Sequence, residues 1–421
     1  MAQARRKSRK TLSRQPLVLD PWITGTALAL AMVGLVMVAS ASLAIAENAG
    51  MHPLHYVIKH AIALGLGVGL GAICLRIPMD NLERASPFLM LLCLPLLMLV
   101  FVPGFGVTVN GSTRWIRTGI LNFQVVEAVK LMTAVYLAGY LVRQSAAVQQ
   151  NFMGTLKPLA VAGMIALLLL AQPDFGGAVL ILGMTVAMVW QGGARFRDLA
   201  AVGIMALPLM IWAAFSESYR AQRLKTFLDP WADPFDGGFQ LTQALIAIGR
   251  GEWLGVGLGG SIQKLFYLPE AHTDFILAVL AEELGLLGVL VLLTLFALLV
   301  GRGLLIALRA LQLRHHFSGF LAFGLSVLLG LQVIISVGVN FGVLPTKGLT
   351  LPLISSGGSS AMMSCVLISL LLRVAHENEQ LPAGKSAERP SARQPVRKPA
   401  RKPARKPARK PAAGKARGAT A

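Results

Sequence analysis

The strongest constraint on this chain is a succession of apolar runs, each about as long as a lipid bilayer is thick. A helix needs roughly 20 apolar residues to cross the hydrocarbon core, and it must satisfy its backbone polar groups internally. Such runs lie near 22–46, 55–75, 86–103, 123–142, 157–172, 174–191, 198–215, 275–301, 318–340 and 356–374 of the 421 residues. Charged residues make up only 14% of the chain, where a soluble domain carries about 25%. The pattern predicts an all-α fold, a polytopic membrane helical bundle of about ten transmembrane helices. A large extracytoplasmic loop separates the seventh and eighth. The turn at Gln172-Pro-Asp-Phe-Gly-Gly177 is expected to be tight. The basic start leads into a full-length first run without a small-residue cleavage site, so it reads as an uncleaved span.

The net charge of +20 is concentrated at the ends. Residues 1–21 form a basic arm containing Arg5-Arg-Lys-Ser-Arg-Lys10. Residues 22–375 form the membrane body. Residues 376–421 form a tail carrying the repeat Arg397-Lys-Pro-Ala-Arg-Lys-Pro-Ala-Arg-Lys-Pro-Ala-Arg-Lys410. That tail has almost nothing to build a core from and is expected to be disordered. On a membrane body such arms suit anionic lipid, and no nucleic-acid partner is expected. Cys74, Cys93 and Cys365 all fall in apolar runs and read as packing residues, without disulfide or metal spacing.

Short-loop cations set the orientation. Arg76, Arg84, Arg143, Lys157, Arg195, Arg197, Arg302, Arg309 and Arg314 fall on one side together with both termini, which makes that side the cytoplasm. The segments 104–122, 216–274 and 341–355 are then outside, yet they carry Arg114, Arg117, Arg220, Arg223, Lys225, Arg250, Lys264 and Lys347. Two readings stand. Long loops cross whatever their charge, or this surface receives an anionic ligand such as a phosphate.

The external side also holds the most pointed cluster, Glu270-Ala-His-Thr-Asp274, where a polar loop meets the eighth run. Ionisable groups at such an edge are costly and mark function by default. Asp274 suits a general base; the plainer role is a helix N-cap. Glu270 could bind a cation or tune Asp274, and His272 could bond a substrate, although both also suit a polar loop. No second His or Cys stands at zinc-ligand spacing. Deeper in the same run, adjacent Glu282 and Glu283 cannot share a helix face. One of them should turn inward, most simply as a structural pairing residue. Glu127 and Lys130, three apart, share a face of the fourth run as a packing ion pair or as a reach toward lipid phosphate.

Weaker signals complete the set. Arg114 beside Trp115 combines a phosphate-type donor with an interfacial ring. Arg220, Arg223 and Lys225 precede Phe227-Leu-Asp-Pro-Trp231, and Gly249 to Gly260 is glycine-rich. The last run opens with Leu344-Pro-Thr-Lys-Gly-Leu-Thr-Leu-Pro-Leu-Ile-Ser-Ser-Gly-Gly-Ser-Ser360, a stretch fit only to line a polar cavity.

In order, Asn110-Gly with Arg114-Trp-Ile, Glu127 with Lys130, Gln172-Pro-Asp-Phe-Gly, Phe227-Leu-Asp-Pro-Trp, Leu268-Pro-Glu-Ala-His-Thr-Asp-Phe-Ile276, Glu282-Glu-Leu-Gly285 and Pro345 to Ser360 resemble the SEDS family of shape, elongation, division and sporulation proteins. The resemblance covers residues 20 to 375. Thr346-Lys-Gly-Leu-Thr-Leu-Pro352 and the basic tails resemble its division members, with elongation members the near alternative. Departures are Gln124-Val-Val-Glu127 where the family has a proline, Ser356 where it has a tyrosine, and Phe266 where division members are often acidic.

The resemblance implies a peptidoglycan glycosyltransferase of the bacterial inner membrane. It would polymerise lipid II into β-1,4 strands at the division septum, with undecaprenyl diphosphate leaving. It also implies a class B penicillin-binding transpeptidase and other division membrane proteins as partners. The family's essential aspartate matches Asp274, and Arg114, Glu127, Lys130, Glu270, His272 and Lys347 match positions of less certain role. Arg220, Arg223 and Lys264 join them as candidate substrate cations. No cofactor is called for, and a divalent cation on the diphosphate stays open. The competing classes are a lipid II flippase, for which mid-membrane Glu127 and Lys130 would matter most, and a scaffold that only recruits the transpeptidase.

Overall fold

The computed structural model describes residues 18–109, 112–117, 122–215, 227–345 and 348–380. Residues 1–17 of the basic arm, the tail beyond residue 380, and the candidates Arg220, Arg223 and Lys347 lie outside the described residues.

Each apolar run becomes a helix. In chain order these are α1 (Pro21–Asn48), α2 (His55–Cys74), α3 (Met79–Leu99), α4 (Val125–Arg143), short α5 (Ser145–Gln150), α6 (Phe152–Ala171), α7 (Phe175–Gln191) and α8 (Phe196–Phe215). They continue as α9 (Phe239–Gly251), α10 (Ile276–Gln312), α11 (His316–Asn340) and α12 (Gly358–Glu379). Among the described residues, eight of them are long and apolar enough to cross a membrane; α7 is apolar but has 17 residues. Their outer faces show Leu28 and Met32 of α1 and Leu287, Leu290 and Val291 of α10 to the surroundings. A water-facing helix would place charge there.

Three features depart from the sequence expectation. The 104–122 segment is not a plain turn: β1 (Gly106–Val109), β2 (Ser112–Arg117) and β3 (Asn122–Gln124) form an antiparallel sheet in that order. Within it Trp115 pairs with both Val107 and Gln124. The large loop before the eighth run contains α9. And α10 continues to Gln312, so Arg302 and Arg309 ride on the helix itself.

The pair α1 and α10 gives the bundle its ruler. At one end Asp20 caps α1 by accepting from the N–H groups of Trp22 and Ile23, and Arg302 of α10 donates to its carboxylate at 2.7 Å. At the other, the Ser40 hydroxyl of α1 donates to Glu283 of α10 at 2.6 Å. At 1.5 Å per residue these anchors stand about 30 Å apart along either helix, which is the thickness of a hydrocarbon core. A second core, with Cys93, Leu97, Val129, Ile165, Leu169 and Ile181 buried, ties α3, α4, α6 and α7 together. All three cysteines are free.

Beyond Ser40 and Glu283, α10 is broken. Gly285 has φ 64° and ψ −167°, a conformation that L side chains avoid. The segment after α9 fills the break. Val256 and Gly257 donate N–H to the carbonyls of Glu282 and Glu283, and Leu286 and Leu287 donate to the carbonyls of Glu252 and Trp253. The backbone groups released by the break thus find partners in protein, the only arrangement a membrane helix tolerates.

Candidate active site

Helix α10 starts at Ile276, its cap position is Phe275, and that residue makes no side-chain cap bond. The N-cap reading of Asp274 is therefore corrected. The aspartate belongs to a turn just before the helix, where the Glu270 carbonyl accepts from the N–H groups of Thr273 and Phe275. Glu270 is exposed, and its carboxylate accepts the Thr273 hydroxyl at 2.7 Å. His272 is half-buried and rests on the ring of Tyr56 from α2, with centroids 4.6 Å apart. Its Nδ1 is buried without a hydrogen-bond partner among the described residues. Burial holds its pKa below the ordinary imidazole value, against an opposing pull from Glu270. The ring is thus neutral at neutral pH.

Opposite this turn runs the irregular strap 348–357, the described part of the proline- and glycine-rich stretch. Its residues meet two of the candidates, Asp274 and His272, and residues of three further helices. A Cβ on Gly348 would stand 3.2 Å from Asp274 Oδ2, so the strap backbone lies close against the carboxylate and a side chain there would press on it. Leu349 packs against Gly176 of α7. The carbonyl of Thr350 accepts from Gln332 of α11 at 2.9 Å. The carbonyl of Leu353 faces His60 Nε2 at 3.3 Å. Ser356 donates its N–H to the His272 carbonyl at 3.0 Å. Side chains of the bundle thus meet the strap's polar backbone, while Leu351, Leu353 and Ile354 are buried.

Two more polar groups lie in the bundle, and the first reaches the strap through Gln332. Gln332 also accepts from Lys130 Nζ at 3.1 Å, and that ammonium pairs with Glu127 at 2.8 Å. Lys130, Glu127 and Gln332 are all buried, so the expected intramembrane pair is present and has a third member. Arg114 of β2 has Nη1 4.0 Å from Asp174 Oδ1, at the start of α7. Its guanidinium lies 5.1 Å from the centre of Trp115, and its buried Nε has no partner among the described residues. Asp174 also caps α7 by accepting the Gly177 N–H.

Lys264 stands apart from this cluster. It donates to Glu283 at 2.6 Å, to the Gly259 carbonyl at 2.8 Å and to Ser40 at 2.9 Å, so all three ammonium donors are spent. Glu282 pairs with Arg250 at 2.8 Å and also accepts from Ser261 and from the N–H of Ile262. Only one of the two glutamates was expected to turn inward. Both are fully buried, because the 250–264 segment wraps the helix at its break and brings a partner to each side.

Asn340, Gln332, Gly348 and Tyr56 were missed from sequence. A polar amide inside an apolar run was the available signal for the first two. Gly348 and Tyr56 act by position alone and left none.

The geometry defines a multi-pass membrane protein with its polar chemistry gathered at one end of the bundle. The chain belongs to the family of FtsW, RodA and SpoVE, whose model, described as "Cell cycle protein", matches residues 21–380. This is the SEDS family that the motifs resemble. A relative from Nitrosococcus halophilus named "Probable peptidoglycan glycosyltransferase FtsW" is 51% identical over 84% of this chain and 92% of its own. One of the same name from Coxiella burnetii is 49% identical over 86% and 97%. Among solved structures, a chain described under "Structural coordination of polymerization and crosslinking by a peptidoglycan synthase complex" superposes with TM-score 0.70 at 31% identity, covering 87% of this chain and all of the other. The rod shape determining protein RodA of Thermus thermophilus gives 0.64 at 28% identity, covering 87% and 99%.

Proposed function

We propose that this chain is a peptidoglycan glycosyltransferase of cell division, a lipid II polymerase with Asp274 as its general base. The observation that carries the assignment of Asp274 is its placement. It sits half-buried in a turn before α10, outside the helix cap position, with the backbone of Gly348 drawn against its carboxylate. The names of the relatives support the reaction.

Two lipid-linked glycans meet on the external face. Asp274 takes the proton of the acceptor sugar's 4-hydroxyl. The oxygen attacks the anomeric carbon of the donor strand, and undecaprenyl diphosphate leaves with the bonding pair. The α-linked donor becomes a β-1,4 product by inversion. Charge grows on the diphosphate as the bond breaks, and cations near it stabilise that charge. Arg114, with an unspent Nε, and Arg220, Arg223 and Lys347 are assigned to this role. His272 contributes a neutral imidazole, and Glu270 orders the turn through Thr273. Lys264 braces the fold, and Lys130 with Glu127 holds the strap through Gln332.

The body 22–375 is the catalytic unit, with both termini cytoplasmic and the basic arms against anionic lipid. The protein acts at the septum with a class B penicillin-binding transpeptidase and other division membrane proteins. The likeness to a chain from a peptidoglycan synthase complex supports a partner of that kind.

The test uses purified full-length protein with lipid II, with and without the cognate transpeptidase, comparing wild type with Asp274→Asn. Glycan strands from wild type alone, with the variant intact and silent, are expected. Strands from the variant would remove Asp274 as base. No strands from either, with the transpeptidase bound, would turn the assignment toward a flippase or a recruiting scaffold. Lys130→Met would then be assayed for lipid II translocation.

A further inference from the structure

Asn340, the last residue of α11, is completely buried at the point where α10 begins. Its Nδ2 donates to the Asp274 carbonyl at 3.0 Å and to the Ser336 carbonyl at 2.9 Å. Its Oδ1 accepts from the Ala278 N–H at 3.2 Å, a proton that Ala278 shares with the Phe275 carbonyl. Asp274 and Ala278 are four apart. Their carbonyl and N–H would form the first hydrogen bond of an α-helix starting at Asp274. The Asn340 amide stands between them and bonds to both. Helix α10 therefore opens after Asp274, and the aspartate stays in the turn facing Gly348. An orphan first-turn amide, usually met by a side chain at the cap position, is met here from another helix, and Phe275 at the cap makes no such bond.

We infer that Asn340 is a positioning residue of the reaction: its side-chain amide holds the backbone on both sides of Asp274 and keeps the carboxylate at the start of α10 in its working place. The inference rests on the assignment of Asp274 as base. Asn340 touches neither substrate nor reacting atoms. Its effect runs through one carbonyl and one N–H, and it belongs on the chemical step and not on substrate affinity. A displacement on the order of 1 Å at a catalytic group is enough to cost about 100-fold in rate.

The test compares Asn340→Ala and Asn340→Asp with wild type and Asp274→Asn in lipid II polymerisation. Hydrogen exchange is followed across the peptide 274–281. Asn340→Asp keeps the shape and the acceptor but loses the donor to Asp274. The expected result is a fall in kcat of about ten-fold or more, with KM for lipid II within about two-fold. Exchange at the first turn of α10 should speed up while the rest of the helix keeps its protection. Wild-type kcat in both Asn340 variants, with Asp274→Asn inactive, would overturn the inference and leave the base assignment standing. Activity in Asp274→Asn would instead remove the base itself. Equal loss in kcat and rise in KM, or failure of both variants to fold, would also overturn it, because the amide would then support the bundle at large.

Discussion

Helix α10 and the turn that leads into it hold two acidic regions, eight residues apart, that obey opposite rules. Glu282 and Glu283 are completely buried, and each is matched by a cation and a hydroxyl: Arg250 with Ser261, and Lys264 with Ser40. Asp274 is half-buried in a turn, beside a histidine whose Nδ1 has no partner among the described residues and a glycine that brings backbone to its carboxylate. The glutamates repair a broken helix; the aspartate borders a polar strap that also meets Gln332, His60 and Gly176 from three other helices. A buried charge with every bond satisfied has nothing left for a ligand, and removing its partner exposes the full cost of burial. Partial exposure with unspent donors nearby leaves room for one. Acidity in an apolar helix is thus no guide to function until the partners are counted.

The contrast breaks most sharply if the two regions respond alike to neutralisation. Asp274→Asn should lower polymerisation by about 100-fold or more, the usual worth of a general base, with the thermal midpoint of the purified protein unmoved. Glu283→Gln should do the reverse. It strands the Lys264 ammonium in a buried site and should cost about 3–5 kcal/mol of stability, seen as a lower midpoint and poor accumulation. The double change to Glu283→Met and Lys264→Met should recover most of that loss. A stable but inactive Glu283→Gln protein would move the glutamate into the active region and dissolve the comparison.

Much of this could be read before the fold was known, and the reason is physical. Apolar runs of spanning length located ten helices, since length and hydropathy are local properties. The pairing of Glu127 with Lys130 was legible because three-residue spacing fixes a shared face. What escaped depended on contacts far apart in sequence. Nothing local announced that 252–257 would enter the break at Gly285, so Glu282 looked different from Glu283 and Lys264 looked like an external cation. The cap alternative for Asp274 falls for the same reason. Its local signals favoured a cap, but Asn340, 66 residues away, supplies the amide that lets the helix begin later.

A smaller effect sharpens the picture on the strap side. Gly348→Ala places a Cβ 3.2 Å from Asp274 Oδ2, close enough that one of them must give way. A shift of a few tenths of an ångström should reduce turnover by about ten-fold or less, without the stability loss expected at Glu283. Steady-state polymerisation beside a thermal melt separates the two. Unchanged turnover would mean that the approach of the strap to Asp274 is incidental.

The smallest effect is a pH dependence at His272. Burial lowers its folded-state pKa below the ordinary value of 6.5, so as the pH falls the unfolded chain takes up the proton first. The stability contributed by the neutral ring is complete above about pH 6.5 and is lost as the pH falls from there toward the folded pKa. His272→Gln, which cannot charge, should be less stable than wild type at pH 7.5 through loss of the contact with Tyr56. The gap should narrow at pH 5.5. Paired melts at the two pH values read the difference directly, and a gap that widens on acidification would mean that the folded protein favours the imidazolium. That result would bring His272 closer in behaviour to the paired charges of the α10 break than to the half-open region around Asp274.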